Sequence, residues 1–264
     1  VVADAESHIV RWELGGLAWN AGLQTHTLDA EGGIFSPDEI HAVCHEADLH
    51  RPGTGLVCLE NTHNARGGLA VPVDRIRAVA EAAHEHDVPV HLDGARLFNA
   101  CVALDTDPAE MVAPVDSVLF CLSKGLGAPV GSILAGGEAF VDEARRIRKL
   151  HGGGMRQVGI VAAPGLLALE NRARLAEDHE NAAHLAAGLD ALDGLSVPTP
   201  ETNIVVVDVS AAPFDAPAFV DACADRGVGC GAIDDAHVRF CTHLDVDRED
   251  IDAALDRIES HGLS

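Results

Sequence analysis

Short apolar runs that stop abruptly at polar tips alternate along this chain with longer stretches of helical period. Residues 55–59 form one such run, Gly-Leu-Val-Cys-Leu, which ends in Glu60-Asn61-Thr62-His63-Asn64 before Gly67-Gly68. Residues 72–86 then place Ile76, Val79, Ala80 and Ala83 on one face of a helix. A second run, residues 88–92, ends in Asp93-Gly94-Ala95-Arg96, and a third, residues 117–122, ends at Ser123-Lys124 and a glycine-rich turn. Upstream, residues 25–28 read as a short strand. Ser36-Pro37-Asp38-Glu39 reads as a helix start, with a capping serine, a proline and acids in the first turn.

Strand, polar tip, helix and strand in this order predict an α/β fold on a mostly parallel sheet with right-handed crossovers. Residues 131–135 are expected to run antiparallel or at an edge, followed by a helix over 137–150, a glycine-rich break at 151–157 and a long helix over 159–181. Composition shifts after about Arg172. Beyond it the pattern predicts a helix through Leu192, strands over 203–209, 228–233 and 237–241, and helices over 216–226 and 247–260. Two domains are therefore expected, a large α/β domain over residues 1–172 and a small α+β domain over 173–264.

The 264 residues carry 42 acidic and 18 basic side chains, a net charge of −24 spread along the chain. A field of that sign repels nucleic acid and anionic membrane, so neither is expected as a partner. Acid excess, scarce lysine and the absence of tyrosine look halophilic, as in a salt-loaded cytoplasm whose counterions screen self-repulsion; a merely acidic mesophile is the alternative. Seven cysteines, with no pair at metal-knuckle spacing and several inside apolar runs, read as small buried hydrophobes in a reducing compartment. No signal peptide, spanning apolar run or lipidation motif appears, and a cytoplasmic location is expected. His41 and His45 stand at HxxxH spacing on the helix that starts at Ser36, but Ala42 occupies the place of the glutamate in zinc-binding helices. His84, His86 and His91 straddle a helix end and a strand, and no metal site is expected.

Only two of the basic residues are lysines, Lys124 and Lys149. Lys124 follows the carboxyl end of a buried strand, where open α/β sheets bind their ligands. A lysine amine of lowered pKa attacks carbonyls to form a Schiff base, which arginine does not. The plainer reading is a polar turn residue after a strand. The other tips supply Asp93, Arg96 and His63, with His8 upstream. An aspartate that keeps a ring nitrogen protonated, an imidazole stacked on a ring and a lysine Schiff base are the parts of a pyridoxal phosphate site.

The stretches ESHIVRWELGG, LENTHNARGG, VHLDGARLFNA, SVLFCLSKGLGAPVGS, RKLHGGGMRQVGI and VRFCTHLDV, in this order, resemble the low-specificity L-threonine aldolases, fold-type-I pyridoxal phosphate enzymes grouped with the β-eliminating lyases. LDGAR together with SKGLGAPVGS is the most specific part, and the resemblance runs over essentially the whole chain. It implies an aspartate aminotransferase-like large domain, pyridoxal 5'-phosphate as cofactor, and retro-aldol cleavage of a β-hydroxy-α-amino acid such as threonine or allo-threonine to glycine and an aldehyde.

By the same resemblance Lys124 carries the cofactor as a Schiff base and Asp93 pairs with the pyridine nitrogen. Arg96 contacts the cofactor's phenolate oxygen or the substrate, and His8 stacks on the ring. His63 handles the β-hydroxyl proton, directly or through water, and Arg239 holds the substrate carboxylate. Lys149 and Arg156 match basic positions near the site that reach a neighbouring subunit's cofactor, so a homodimer or homotetramer acting on a small amino acid is implied. A related β-eliminating lyase or transferase on the same fold stays open. Val1 stands in mid-element without an initiating methionine. The family's glycine-threonine phosphate cup and an early serine for the substrate carboxylate lie in an amino-terminal stretch that this chain is expected to lack. On that expectation the chain alone binds the cofactor weakly, and a non-catalytic fragment is the third reading.

Overall fold

In the computed structural model, which describes residues 1–259, the chain divides into two units, Val1–Arg172 and Ala173–Ser264. The first unit opens with β1 (Val2–Asp4), the short helices α1 (His8–Arg11) and α2 (Gly16–Ala21), β2 (His26–Leu28) and α3 (Pro37–Val43). It continues through β3 (Val57–Glu60), α4 (Val73–His84), β4 (Val90–Asp93), α5 (Leu97–Ala103), α6 (Pro108–Val112) and β5 (Ser117–Cys121). It closes with β6 (Ser132–Gly136), α7 (Glu138–Leu150) and α8 (Gly159–Glu170).

These strands form one sheet in the order β2-β1-β3-β4-β5-β6. All neighbours run parallel except β6, which pairs antiparallel with β5 at the edge. The apolar runs are short and rich in valine because a parallel sheet covered on both faces leaves no polar side to alternate with. Val57, Val90 and Leu92 are fully buried, as are Ile76, Val79 and Ala83 of α4, which belong to the same core. Each valine or leucine sealed this way contributes about 2 kcal/mol. Ser36 caps α3 as its sequence predicts: the Glu39 N–H donates to Ser36 Oγ at 3.3 Å and the Ser36 N–H donates to Glu39 Oε2 at 2.7 Å.

The second unit contains α9 (Leu175–Asp190), β7 (Ile204–Asp208), α10 (Ala216–Ala224), β8 (Gly231–Ala232), β9 (His237–Cys241) and α11 (Arg248–Glu259). Its strands make an antiparallel sheet in the order β7-β9-β8. Phe219, Leu189, Val205, Val238 and Ile258 form its own core.

Several expectations need correction. His45 does not lie on α3, which ends at Val43. The Thr54 hydroxyl donates to the Val43 carbonyl at 2.8 Å and the Thr54 N–H to the His45 carbonyl at 3.0 Å, so the returning loop takes the acceptors a continued helix would use. The long helix over 159–181 is two helices separated by a 3-10 turn, Asn171–Arg174, and the Asn171 amide donates to the Leu126 carbonyl at 2.9 Å. The strand over 228–233 shrinks to β8, because the Val228 N–H turns back to the Cys223 carbonyl at 2.9 Å. The helix read through Leu192 stops at Asp190, and α11 is described to Glu259, so the Ser260 end of that expectation lies outside the described residues. Strand β1 was not expected as a strand, and it sits between β2 and β3 in the sheet.

Candidate active site

Three of the parallel strands end on an acid with the same local spelling: Val-Val-Ala-Asp4, Val-Cys-Leu-Glu60 and Val-His-Leu-Asp93. Apolar residues bury each strand, and the first polar residue emerges where the strand leaves the core at its carboxyl end. Glu60 and Asp93 are register partners on β3 and β4. Lys124 follows β5, the strand next to β4, in a turn held by the Gly127 N–H on the Lys124 carbonyl at 2.9 Å and the Ala128 N–H on the Leu122 carbonyl at 3.0 Å. The lysine and Asp93 are both half-buried.

The Asp93 carboxylate accepts from the Ala95 N–H at 3.0 Å, an Asx turn that fixes the tip of β4. The Gly94 N–H donates to the Leu119 carbonyl at 2.7 Å, and a Cβ at Gly94 would stand 2.8 Å from that oxygen. Only glycine lets β4 leave the sheet this close to β5. Arg96 Nη1 donates to Asn64 Oδ1 at 3.2 Å, tying the β4 tip to the β3 tip.

Glu60 is buried and holds two backbone donors: the His8 N–H at 2.6 Å and the Asn64 N–H at 2.8 Å. Burial raises its pKa, opposed by the neighbouring His63 and the two N–H groups. His8 is thereby pinned at the first turn of α1 while its ring stays part-exposed, with Nδ1 3.1 Å from Glu13 and its centroid 5.5 Å from the Trp12 ring. His63 is the opposite case, with no exposed surface. Its Nε2 lies 2.7 Å from Asp4 Oδ2, while Asp4 Oδ1 accepts the Ala30 N–H at 3.0 Å. Among the described residues, His63 Nδ1 and its neighbour Thr62 Oγ1 are buried without a hydrogen-bond partner.

Unpaired polar atoms inside a protein cost about 1–3 kcal/mol each, and two successive residues after β3 carry one apiece. An amine after β5, an acid at the end of β4 and a part-exposed imidazole at the start of α1, which follows β1, fit a cofactor with an aldehyde and a protonated ring nitrogen. His8, His63, Asp93, Arg96 and Lys124 thus come from the ends of β1, β3, β4 and β5 or the segments that follow them. Lys149 and Arg156 are exposed on a separate segment; Lys149 lies across Gly154, where a Cβ would stand 2.8 Å from its Cδ. Arg239 belongs to the second unit, half-buried on β9 between Val206 and Gly231.

The sequence reading gave Asp4, Glu60 and Asn64 no role, although Glu60 and Asn64 stand in the polar tip it identified. The signal for Asp4 and Glu60 was present in the repeated apolar-then-acid spelling, whereas nothing local marks Asn64 as the partner of Arg96.

Residues 1–212 match the family model described as beta-eliminating lyase. The chain is 40% identical over 266 residues to the probable low-specificity L-threonine aldolase 2 of Arabidopsis thaliana, covering 98% of this chain and 75% of that protein. It is 40% identical over 247 residues to the low specificity L-threonine aldolase of Escherichia coli O157:H7, covering 93% and 72%. A solved structure of a putative L-allo-threonine aldolase from Listeria monocytogenes EGD-E superposes with a TM-score of 0.79 at 22% identity, covering 98% of this chain and 74% of that one. The architecture is that of the fold-type-I pyridoxal phosphate enzymes. With tips, lysine and acid in this arrangement, the chain belongs to the beta-eliminating lyase family and, within it, to the low-specificity L-threonine aldolases, carbon-carbon lyases that work with pyridoxal 5'-phosphate.

Proposed function

We propose that this chain cleaves β-hydroxy-α-amino acids, threonine and allo-threonine among them, to glycine and an aldehyde. The observation that carries the reading is the half-buried amine of Lys124 beyond β5, with Asp93 at the end of the adjacent strand β4. Bound pyridoxal phosphate supplies an electron sink for the pair released when the Cα–Cβ bond breaks.

The chain's own residues do the rest. Lys124 Nζ would hold the cofactor's aldehyde carbon. Asp93, oriented by the Ala95 N–H, would accept from the protonated ring nitrogen. His8 would stack on the cofactor ring, and the Glu60 carboxylate keeps the His8 backbone in place. Arg96 would hold the phenolate oxygen or the substrate. His63 takes the β-hydroxyl proton at Nδ1, since Asp4 occupies Nε2. Arg239 pairs with the substrate carboxylate, a task suited to the parallel donors of a guanidinium. On this reading the first unit is the cofactor domain and the second the small domain.

A homodimer or homotetramer accompanies the proposal. Leu150, Met155 and Ile160 are 81%, 58% and 80% exposed around Arg156, an apolar surface that a second copy would cover while Lys149 and Arg156 reach its cofactor. No helix among the described residues is long and apolar enough to cross a membrane. The acid excess supports a salt-rich cytoplasm as the setting.

Borohydride reduction of the cofactor-loaded enzyme followed by peptide mapping is expected to find the pyridoxyl group on Lys124, and incubation with L-threonine to release acetaldehyde and glycine in equal amounts. A tag on Lys149 would overturn the site. A tag on Lys124 without acetaldehyde would overturn the reaction and favour another lyase or transferase chemistry.

A further inference from the structure

Two histidines far apart in the sequence meet at the edge of the sheet away from the candidate active site. His41 lies near the end of α3, beside the buried Ile40, and His86 lies just past the end of α4, four residues before β4 begins. Helices that join parallel strands run back to the strands' amino ends, so both imidazoles stand at the edge opposite the carboxyl tips. His41 Nδ1 is 3.0 Å from His86 Nε2, with ring centroids 5.3 Å apart and planes tilted by 56°. His84 and His91, nearer to His86 in sequence, are engaged elsewhere: His84 Nε2 lies 2.9 Å from Asp116 Oδ2, and His91 Nδ1 lies 2.8 Å from Ser117 Oγ.

The backbones beneath both rings are fixed. Ile40, Ile76, Val79 and Ala83 pack α3 and α4 into one core. After α4 the His86 and Val88 N–H groups donate to the Ala83 carbonyl, at 3.0 and 3.1 Å, and the Asp87 N–H donates to the His84 carbonyl at 3.0 Å, with Asp87 in the left-handed region at φ 56°. Two nitrogens bound to one ion at about 2.1 Å and about 90° apart stand about 3.0 Å from each other, whereas tetrahedral ligands spread to about 3.4 Å. The 3.0 Å between His41 and His86 is the right-angle spacing, which suits Ni²⁺ or Cu²⁺ better than tetrahedral Zn²⁺. Both rings are exposed, so water can complete the coordination. His41 Nε2 lies 3.9 Å from Glu85 Oε2, which adds negative charge beside the outer nitrogen of that ring. Among the described residues no group of three histidines, cysteines or acids could hold an ion, so the pair acts with solvent alone.

We infer that His41 and His86 form a two-histidine site for a divalent late transition-metal ion of right-angle geometry, Ni²⁺ or Cu²⁺, with solvent in the remaining positions. In the metal-free neutral pair one ring donates its proton to the other across the 3.0 Å contact. The ion needs a lone pair from each contacting nitrogen, so the donor ring releases that proton to solvent and takes one up at its outer nitrogen. His41 Nε2 and His86 Nδ1 then carry the protons, and the net protonation of the pair is unchanged. The bound ion ties the end of α3 to the turn after α4, and because it binds the folded arrangement it stabilises the first unit.

The test uses the folded full chain, freed of metal by a chelator that is then removed, with Ni²⁺ alone as the probe. Calorimetric titration beside NMR of the histidine ring protons is expected to show a saturable site, with the paramagnetic ion broadening His41 and His86 before other histidines. H41A and H86A are each expected to weaken that binding about 100-fold, because either change turns a two-point attachment into a single one. H50A, at an exposed histidine outside the pair, is expected to bind as the wild type does. Saturating Ni²⁺ should raise the Tm of the wild type and of neither pair variant, and Zn²⁺ in place of Ni²⁺ should bind more weakly. Absence of saturable binding, first broadening of other histidines, wild-type affinity in H41A or H86A, or tighter binding of Zn²⁺ than of Ni²⁺ would each overturn the proposal.

Discussion

Replacing Asp4 with asparagine isolates the role of a hydrogen-bond partner that no local sequence signal assigns to His63. In the wild type a carboxylate, which only accepts, faces His63 Nε2 at 2.7 Å. The ring proton of neutral His63 therefore sits on Nε2, and Nδ1, buried without a partner, carries the lone pair a base needs. In Asp4→Asn the Oδ1 contact to the Ala30 N–H at 3.0 Å can persist, which turns the amide NH2 toward Nε2. An NH2 only donates, so Nε2 becomes the acceptor and the proton moves to Nδ1. The alternative amide rotamer keeps the tautomer but faces the buried Ala30 N–H with an NH2, at a cost of about 1–3 kcal/mol.

Loss of a positioned base slows a reaction about 10²–10⁴-fold, which is about 3–5 kcal/mol of barrier. Stability should change much less. The lost charge-assisted hydrogen bond, about 2 kcal/mol, is largely offset by no longer burying a charge. A net loss near 1 kcal/mol corresponds to about 2–4 °C in Tm for a chain of this size. The assay is steady-state aldehyde release from threonine beside a thermal melt and the visible absorbance of bound cofactor. The expected variant keeps its cofactor band and nearly its Tm, and its kcat falls with little change in KM. Wild-type kcat in Asp4→Asn would refute the tautomer argument; an equal loss of cofactor binding and activity would reduce Asp4 to a structural role.

Gly94→Ala sets a Cβ 2.8 Å from the Leu119 carbonyl; overpacking of this kind costs about 1–3 kcal/mol, and displacement of Asp93 should weaken cofactor binding, read by fluorescence titration. Phe219→Ala empties the centre of the second core, where Phe219 has no exposed surface; a loss of about 3–5 kcal/mol is expected in urea unfolding. Burial pushes His179 down to about 4 from its ordinary 6.5, so the folded state binds fewer protons than the unfolded chain between those values. Its contribution to stability is present above pH 6.5 and is lost as pH falls through about 4. Half-burial limits the loss to at most about 3 kcal/mol, and urea unfolding at pH 7, 5 and 4 should show a slope that His179→Leu flattens.

What was legible in the amino-acid order is what depends on near neighbours. Apolar runs broken by polar tips identified β3, β4 and β5, and the serine-proline-acid start identified α3, because burial period and capping act within a few residues. Lys124, Asp93 and Arg96 were visible for the same reason, each standing in a polar tip where a strand leaves the core. The ends of elements were less legible. Thr54 closes α3, the Asn171 amide bonds to Leu126 after α8, and the Cys223 carbonyl shortens β8, all through hydrogen bonds to acceptors the pattern does not reveal.

The pairing of those supporting residues lay beyond the sequence. Asp4 meets His63 across 59 positions, Glu60 holds the His8 backbone across 52, and Arg96 meets Asn64 across 32. Sequence alone determined which residue types stand at strand ends, since the hydrophobic effect sorts buried from exposed positions locally. Which of those ends meet, and which imidazole is sealed while the other stays open, was decided only when the sheet order β2-β1-β3-β4-β5-β6 brought distant carboxylates and donors within hydrogen-bond reach. A bond effective over about 3 Å reads distance in space and carries no trace of separation along the chain.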